Sequence, residues 1–329
     1  MAFLRALFLD APSAALSWVG RQGTRAVTAL VVIGIATPSI GARLKPFVTE
    51  AVLVLLCIAF LRVDVVAFKA YLRRPVIVLV ATAWTSLVIP TLIGLACLTF
   101  SVKSQTPELF LALMLQAIAS PIMAAPSLAA LMGLDATLVL VTLVTSTALI
   151  PFTAPLFAHA FIGPALTISP AALGAKLFAI LAGSALVGFT LRRIAGLAAI
   201  ERQKERIDGL NIIVLFIFVA AVMENVAARF CATPMITLGL AALSFLIFFG
   251  LLCLTAILFL YAGWERALAV GFLVSQRNMG LMLAATGGVL PDLAWLYFAL
   301  CQFPICLSPQ LLRPLAQRIL VRARIASKS

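Results

Sequence analysis

The chain has 329 residues, 64% hydrophobic and only 11% charged, with a mean hydropathy of +1.18 and a net charge of +13. A soluble domain carries about 25% charged residues, so a water-soluble fold is excluded. The continuous apolar runs exclude a β-barrel, which needs short alternating strands, and the basic residues sit in short loops between those runs, a topology signal of membrane proteins rather than a nucleic-acid footprint.

Within the segment 1–25 the first 20 residues are weakly amphipathic, with Leu4, Leu7 and Phe8 set against Arg5 and Asp10. Asp10 and Pro12 interrupt the apolar run that a cleaved leader requires, so this stretch is expected to be an interfacial segment. Ten spans of roughly 20 apolar residues follow: 26–42, 47–67, 75–100, 107–133, 135–158, 169–191, 208–230, 234–260, 265–289 and 292–312. The predicted fold class is an all-α membrane protein of ten transmembrane helices. It divides into a first five-helix repeat over 26–160 and a second over 169–320, with a basic tail at 321–329. With the N-terminus in the cytoplasm, 18 of the 24 basic residues fall inside, including Lys69, Arg73, Arg74, Arg192, Arg193 and Arg318. Arg43, Lys45, Lys103, Lys176 and Arg229 fall outside, and Arg277 lies within the membrane. That bias puts both termini in the cytoplasm.

The halves resemble each other at a shift of 157–159 residues: Glu50 falls on Asp208, Pro75 on Pro234, Glu108 on Glu265, Asp135 on Asp292 and Pro151 on Pro309. Five spans per half is odd, so the second half is inverted. Inverted repeats with broken helices mark secondary transporters. The ninth span breaks at Ser275-Gln276-Arg277-Asn278-Met279-Gly280. An Arg at mid-membrane costs about 2.5–3.5 kcal/mol on insertion scales, so it must face protein, water or a ligand. The repeat places Ser120 and Pro121 opposite Arg277 and Asn278, and the fourth span breaks there, between Pro121 and Pro126.

The six cysteines lie in or beside apolar runs without a CxxC and read as small hydrophobes. His159 stands alone, and neither HExxH nor a nucleophile–base spacing occurs, so no enzyme, no metal site and no cofactor is expected. Asp135 and Asp292 are read as helix caps. Trp84, Trp264, Trp295, Tyr261 and Tyr297 are read mainly as interface aromatics. The segment from Arg313 to Lys328 is read as an anchor to anionic lipid.

Leu134-Asp135-Ala136-Thr137-Leu138, followed by Val144-Thr145-Ser146-Thr147-Ala148-Leu149-Ile150-Pro151, resembles the fifth-helix pattern of the bile acid:sodium symporter family in its bacterial ten-helix form. Asn278-Met279-Gly280-Leu281 resembles its ninth-helix Gln-Asn-Ser-Gly-Leu. The resemblance implies a panel domain (spans one, two, six and seven), a core domain (three to five and eight to ten) and a substrate site where spans four and nine cross. It also implies a bacterial inner membrane. Auxin-efflux-like and arsenite-efflux-like carriers fit these motifs less well.

The departures concern the two sodium ions that family members bind. The Glu five residues before the ninth-helix Asn is Leu273, and the Gln before that Asn is Arg277. The Ser-Asn pair of the fourth-helix break is Ala125-Pro126, the two helix-five hydroxyl positions are Val139 and Leu143, and the third-helix Gln falls at Thr85. The Leu, Val, Ala and Pro side chains among these supply no oxygen, and a guanidinium repels a nearby cation. The expectation is a transporter of an organic anion, bile-acid-like or a small carboxylate, working by alternating access without the family's sodium coupling. Its candidate binding residues are Arg277, Asn278, Gln276, Ser275, Ser120, Ser127, Met123 and Thr85. Arg277 alternatively forms a structural ion pair, with Glu224 the leading partner; Glu224 is also the candidate for proton coupling, or a solvated carboxylate near the outer interface. Sodium coupling through atypical ligands and a non-transporting sensor are the rival readings. Expected partners are the anion and the lipid bilayer, with no nucleic acid; a homo-oligomer is left open.

Overall fold

The computed structural model describes residues 11–62, 75–163, 166 and 168–326. It is 88% helical, and no strand occurs among the described residues. In chain order the principal helices are α1 (Ala11–Ala36), α2 (Pro38–Leu61), α3 (Val76–Thr99), α4 (Pro107–Ile118), α5 (Ala125–Met132), α6 (Ala136–Phe157), α7 (Pro170–Ala195), α8 (Lys204–Val222), α9 (Pro234–Leu258), α10 (Trp264–Ser275), α11 (Met279–Ala285) and α12 (Asp292–Ala326). Among the described residues, seven helical segments are long and apolar enough to cross a membrane: α2, α3, α6, α7, α8 with its extension to Ala232, α9 and α12. Large apolar side chains such as Met235, Leu186 and Phe152 are exposed on these helices. Each would cost about 1.5–3 kcal/mol in water relative to an apolar environment, so lipid is their natural surrounding. The protein is a multi-pass, all-α membrane protein.

The sequence boundaries shift at both ends. The supposed interfacial segment and first span do not part at residue 26, because α1 runs unbroken from Ala11 to Ala36. The stretch 26–42 divides at Thr37 instead. A residue before proline is driven out of the helical region, and Thr37 sits at φ −124°, ψ 59°, with Pro38 opening α2. At the other end α12 passes Pro304, Pro309 and Pro314 and continues to Ala326, so most of the basic tail is helix. Residues 1–10, the basic positions Lys69, Arg73 and Arg74, and residues 327–329 lie outside the described residues.

Two compact units compose the chain, each drawing on both halves of the sequence. The first comprises Met1–Val63 and Leu181–Arg229, the second Asp64–Ile180 and Phe230–Ser329. In the first unit α1 lies against α8 at glycine distance. A β-carbon on Gly209 would stand 2.0 Å from the Leu16 carbonyl oxygen, and one on Gly20 would stand 2.1 Å from that of Glu205. Ion pairs Arg21–Glu205 (3.0 Å), Arg62–Asp208 (2.7 Å) and Lys45–Glu224 join its helices.

The second unit contains both broken spans, α4/α5 and α10/α11. Its polar side chains pair between helices: Thr82 with Thr145 (2.7 Å), the Trp84 indole donating to Thr255 (2.9 Å), and the Tyr297 hydroxyl donating to Gln116 (2.6 Å). Trp84 and Tyr297 are therefore not interface aromatics; Trp84 sits mid-helix in α3, and Tyr297 is fully buried. Asp135 caps α6 by accepting from the Leu138 amide (2.9 Å) and pairs with Arg266 at the start of α10 (3.6 Å). Glu108 at the start of α4 accepts from the Leu293 amide at the start of α12 (3.2 Å).

Candidate functional site

α4 stops where Pro121 forbids helix at the preceding residue; Ala119 is already extended at φ −64°, ψ 147°. α10 stops at Ser275, and Gln276 turns to φ −87°, ψ 82°. The two breaks meet as an antiparallel bridge, Pro121 opposite Arg277. The Ile122 amide donates to the Gln276 carbonyl (2.8 Å), and the Asn278 amide donates to the Ser120 carbonyl (2.7 Å). Each break thus satisfies backbone groups that the other's loss of helix set free, the condition for irregular backbone in an apolar setting.

Arg277 is the largest fully buried side chain among the described residues, only 1% exposed. Its Nη1 donates to the Ala119 carbonyl (3.0 Å) and to the Thr85 carbonyl (3.3 Å). The first lies at the C-terminal end of α4, whose dipole favours a cation. The second is an acceptor left over by α3. Residues Trp84–Val88 form a π turn, in which the Ile89 amide bonds back to the Trp84 carbonyl. In that register the donor for the Thr85 carbonyl would be residue 90, which is a proline and has no N–H. The guanidinium supplies the missing donor. Nε and Nη2, the pair on the remaining edge, have no protein acceptor. Nor do the Ser120 hydroxyl and the Gln276 Oε1, both fully buried, find a partner.

Several other sequence candidates are engaged by protein partners. The Ser275 hydroxyl donates to the Phe272 carbonyl (2.8 Å) and the Thr85 hydroxyl to the Ala81 carbonyl (2.7 Å). Asn278 Oδ1 caps α11 by accepting from the Leu281 amide (3.0 Å). Gln276 Nε2 donates to Ser308 of α12 (2.7 Å). Met123 is half-buried beside an apolar cluster, and Ser127 lies exposed on α5. Glu224, the alternative partner considered for Arg277, is only 7% exposed and so is not a solvated carboxylate. Glu224 belongs to the first unit, where it is bonded by Lys45 and by Asn225 Nδ2 (3.2 Å). Lys45 lies in a 3-10 turn within α2, 179 residues from Glu224 in the chain.

Leu273, Ala125, Val139 and Leu143, four positions at which the resemblance puts sodium-binding side chains, pack together in one buried apolar cluster with Phe248 and Phe272. Their side chains offer a cation nothing. Missed by the sequence reading were the carbonyls of Thr85 and Ala119 and the hydroxyl of Ser308. Pro90 inside the third span was the available signal, since an internal proline always strands a carbonyl. No protein-family model matches the chain, and no curated protein matches it at a significant level.

Proposed function

We propose that the protein is a secondary transporter of an organic anion. It resembles the bile acid:sodium symporter family in ten-span inverted-repeat design and lacks that family's sodium coupling. One observation carries the reading: a guanidinium is buried at the meeting of two broken helices, with its Nε and Nη2 donors unpartnered. A buried ion without a counter-charge costs several kcal/mol, and a chain that keeps one has a use for it. The apolar packing of Leu273, Ala125, Val139 and Leu143 supports the loss of sodium coupling. The division into two units that each draw on both halves supports the panel-and-core arrangement.

The inverted repeat finds support in a pair of contacts. Glu108 of α4 bonds the start of α12, while Arg266 of α10 pairs with the cap of α6. The 157-residue shift carries Glu108 to Glu265 and Leu293 to Ala136, each one residue from the second pair.

A second reading, Arg277 as a purely structural staple, is favoured by its two carbonyl bonds. Thermal stabilisation of the purified protein by organic anions, measured in sodium and in choline, decides between them. The transport reading expects equal stabilisation in both salts, lost in Arg277→Ala. A requirement for sodium would return the protein to ordinary symport, and stabilisation that survives Arg277→Ala would favour the staple.

A further inference from the structure

Arg277 brings a permanent unit charge to the crossing, and among the described residues no carboxylate pairs with it. Its two carbonyl partners are dipoles and leave the unit charge in place. Nε–H and Nη2–H project from one edge of the guanidinium, spaced for two oxygens of one carboxylate, the geometry of bidentate recognition. The Ser120 hydroxyl, unpartnered and one residue from the bridge, is a further donor. Resting on the transport reading above, we propose that this edge takes the carboxylate of a monoanion side-on and that the carrier changes orientation only with it bound. The protein then exchanges monocarboxylates and does not move them net in one direction.

Charge arithmetic is the reason. The unloaded crossing carries one buried positive charge, the crossing with a monoanion is neutral, and the crossing with a dianion is again charged. A carrier that binds mobile cations sheds them with its substrate and returns empty. A guanidinium is covalently held and keeps its proton, so the empty carrier would have to reorganise around an uncompensated buried ion.

The test uses proteoliposomes with the membrane potential clamped by potassium and valinomycin, so that charge build-up does not limit net flow. Labelled pyruvate, gluconate and glycocholate are offered to vesicles loaded with the same unlabelled anion or with sulfate. Formate and sulfate are compared as stabilisers of the purified protein. Expected are stabilisation by formate but not sulfate, and uptake about a hundredfold faster into anion-loaded vesicles, a barrier difference of about 2.7 kcal/mol. Arg277→Gln should abolish both stabilisation by formate and uptake into either set of vesicles, whereas Arg277→Lys, which keeps the charge but loses the planar edge, should retain the dependence on internal anion with weaker binding. Equal uptake into sulfate-loaded vesicles overturns exchange and leaves the transport reading standing. Stabilisation without uptake into either set overturns both. Stabilisation by sulfate as strong as by formate, or by no carboxylate in the set, overturns the carboxylate edge.

Discussion

Replacing Arg277 by Met separates the functional reading of the guanidinium from the structural one on stability alone. The substitution leaves the carbonyls of Ala119 and Thr85 without their side-chain donor. Each stranded buried acceptor costs about 1–3 kcal/mol, toward the lower figure for Thr85, whose bond is the longer at 3.3 Å. Against this, the substitution removes a buried ion whose desolvation penalty is itself several kcal/mol, and a flexible thioether can fill the space. The two effects nearly cancel, so Arg277→Met should change the unfolding free energy by less than about 2 kcal/mol in either direction. It should at the same time lose all response to carboxylates. Equilibrium unfolding in mixed micelles gives the first quantity, and thermal shift with formate gives the second. A loss of about 3–5 kcal/mol, the cost of breaking a paired buried ion, would show that Arg277 is fully compensated by protein and would refute the argument for a ligand.

Three further outcomes follow from other contacts. Gly209→Ala puts a methyl group 2.0 Å from the Leu16 carbonyl, which must force α1 and α8 apart; a loss of about 1–3 kcal/mol is expected in the same unfolding assay, and an unchanged stability would show that the crossing is looser than described. Lys45→Ala strips the charge partner from the buried Glu224; because the lysine is 43% exposed, about 1–2 kcal/mol is expected rather than the full cost of a buried pair, and adding Glu224→Gln should restore most of it. Pro90→Ala provides an amide for the Thr85 carbonyl and so competes with Arg277 Nη1. Slower hydrogen exchange in α3 together with weaker formate binding is expected, and unchanged binding would show that the Thr85 bond does not position the guanidinium.

Particular residues show what sequence can and cannot reveal here. Apolar run length located most spans, and the prolines at 121 and 126 with the polar run at 275–278 located both breaks, because lipid punishes each of these features locally. The cap at Asp135 was legible for the same reason, being decided within one helical turn. Partner choice was not. Glu224 looked like the natural mate of Arg277 because it was the lone carboxylate deep in a span, yet Lys45, across 179 residues, holds it. Thr85 drew notice for its hydroxyl, while its carbonyl does the binding and the hydroxyl bonds back to its own helix. Main-chain acceptors carry no letter in the sequence, and only Pro90 hinted at one. The Thr37–Pro38 break was overlooked because both of its sides are apolar.

The substitutions at the crossing make sense as a set. Where the resemblance places one Glu and two sodium ions, those groups together present one net positive charge to an incoming anion. If that resemblance holds, Leu273 stands in place of the negative charge, the apolar cluster in place of the ligands for the two mobile positive ones, and Arg277 supplies one positive charge that stays. On the proposed transport reading, an incoming anion would meet the same net charge in both designs, here without an ion gradient. A single step between them would be costly. Arg277 beside bound sodium would repel it. On the transport reading proposed above, the apolar cluster and the buried guanidinium are two halves of one change, which would fall on coupling and leave an anion as the substrate.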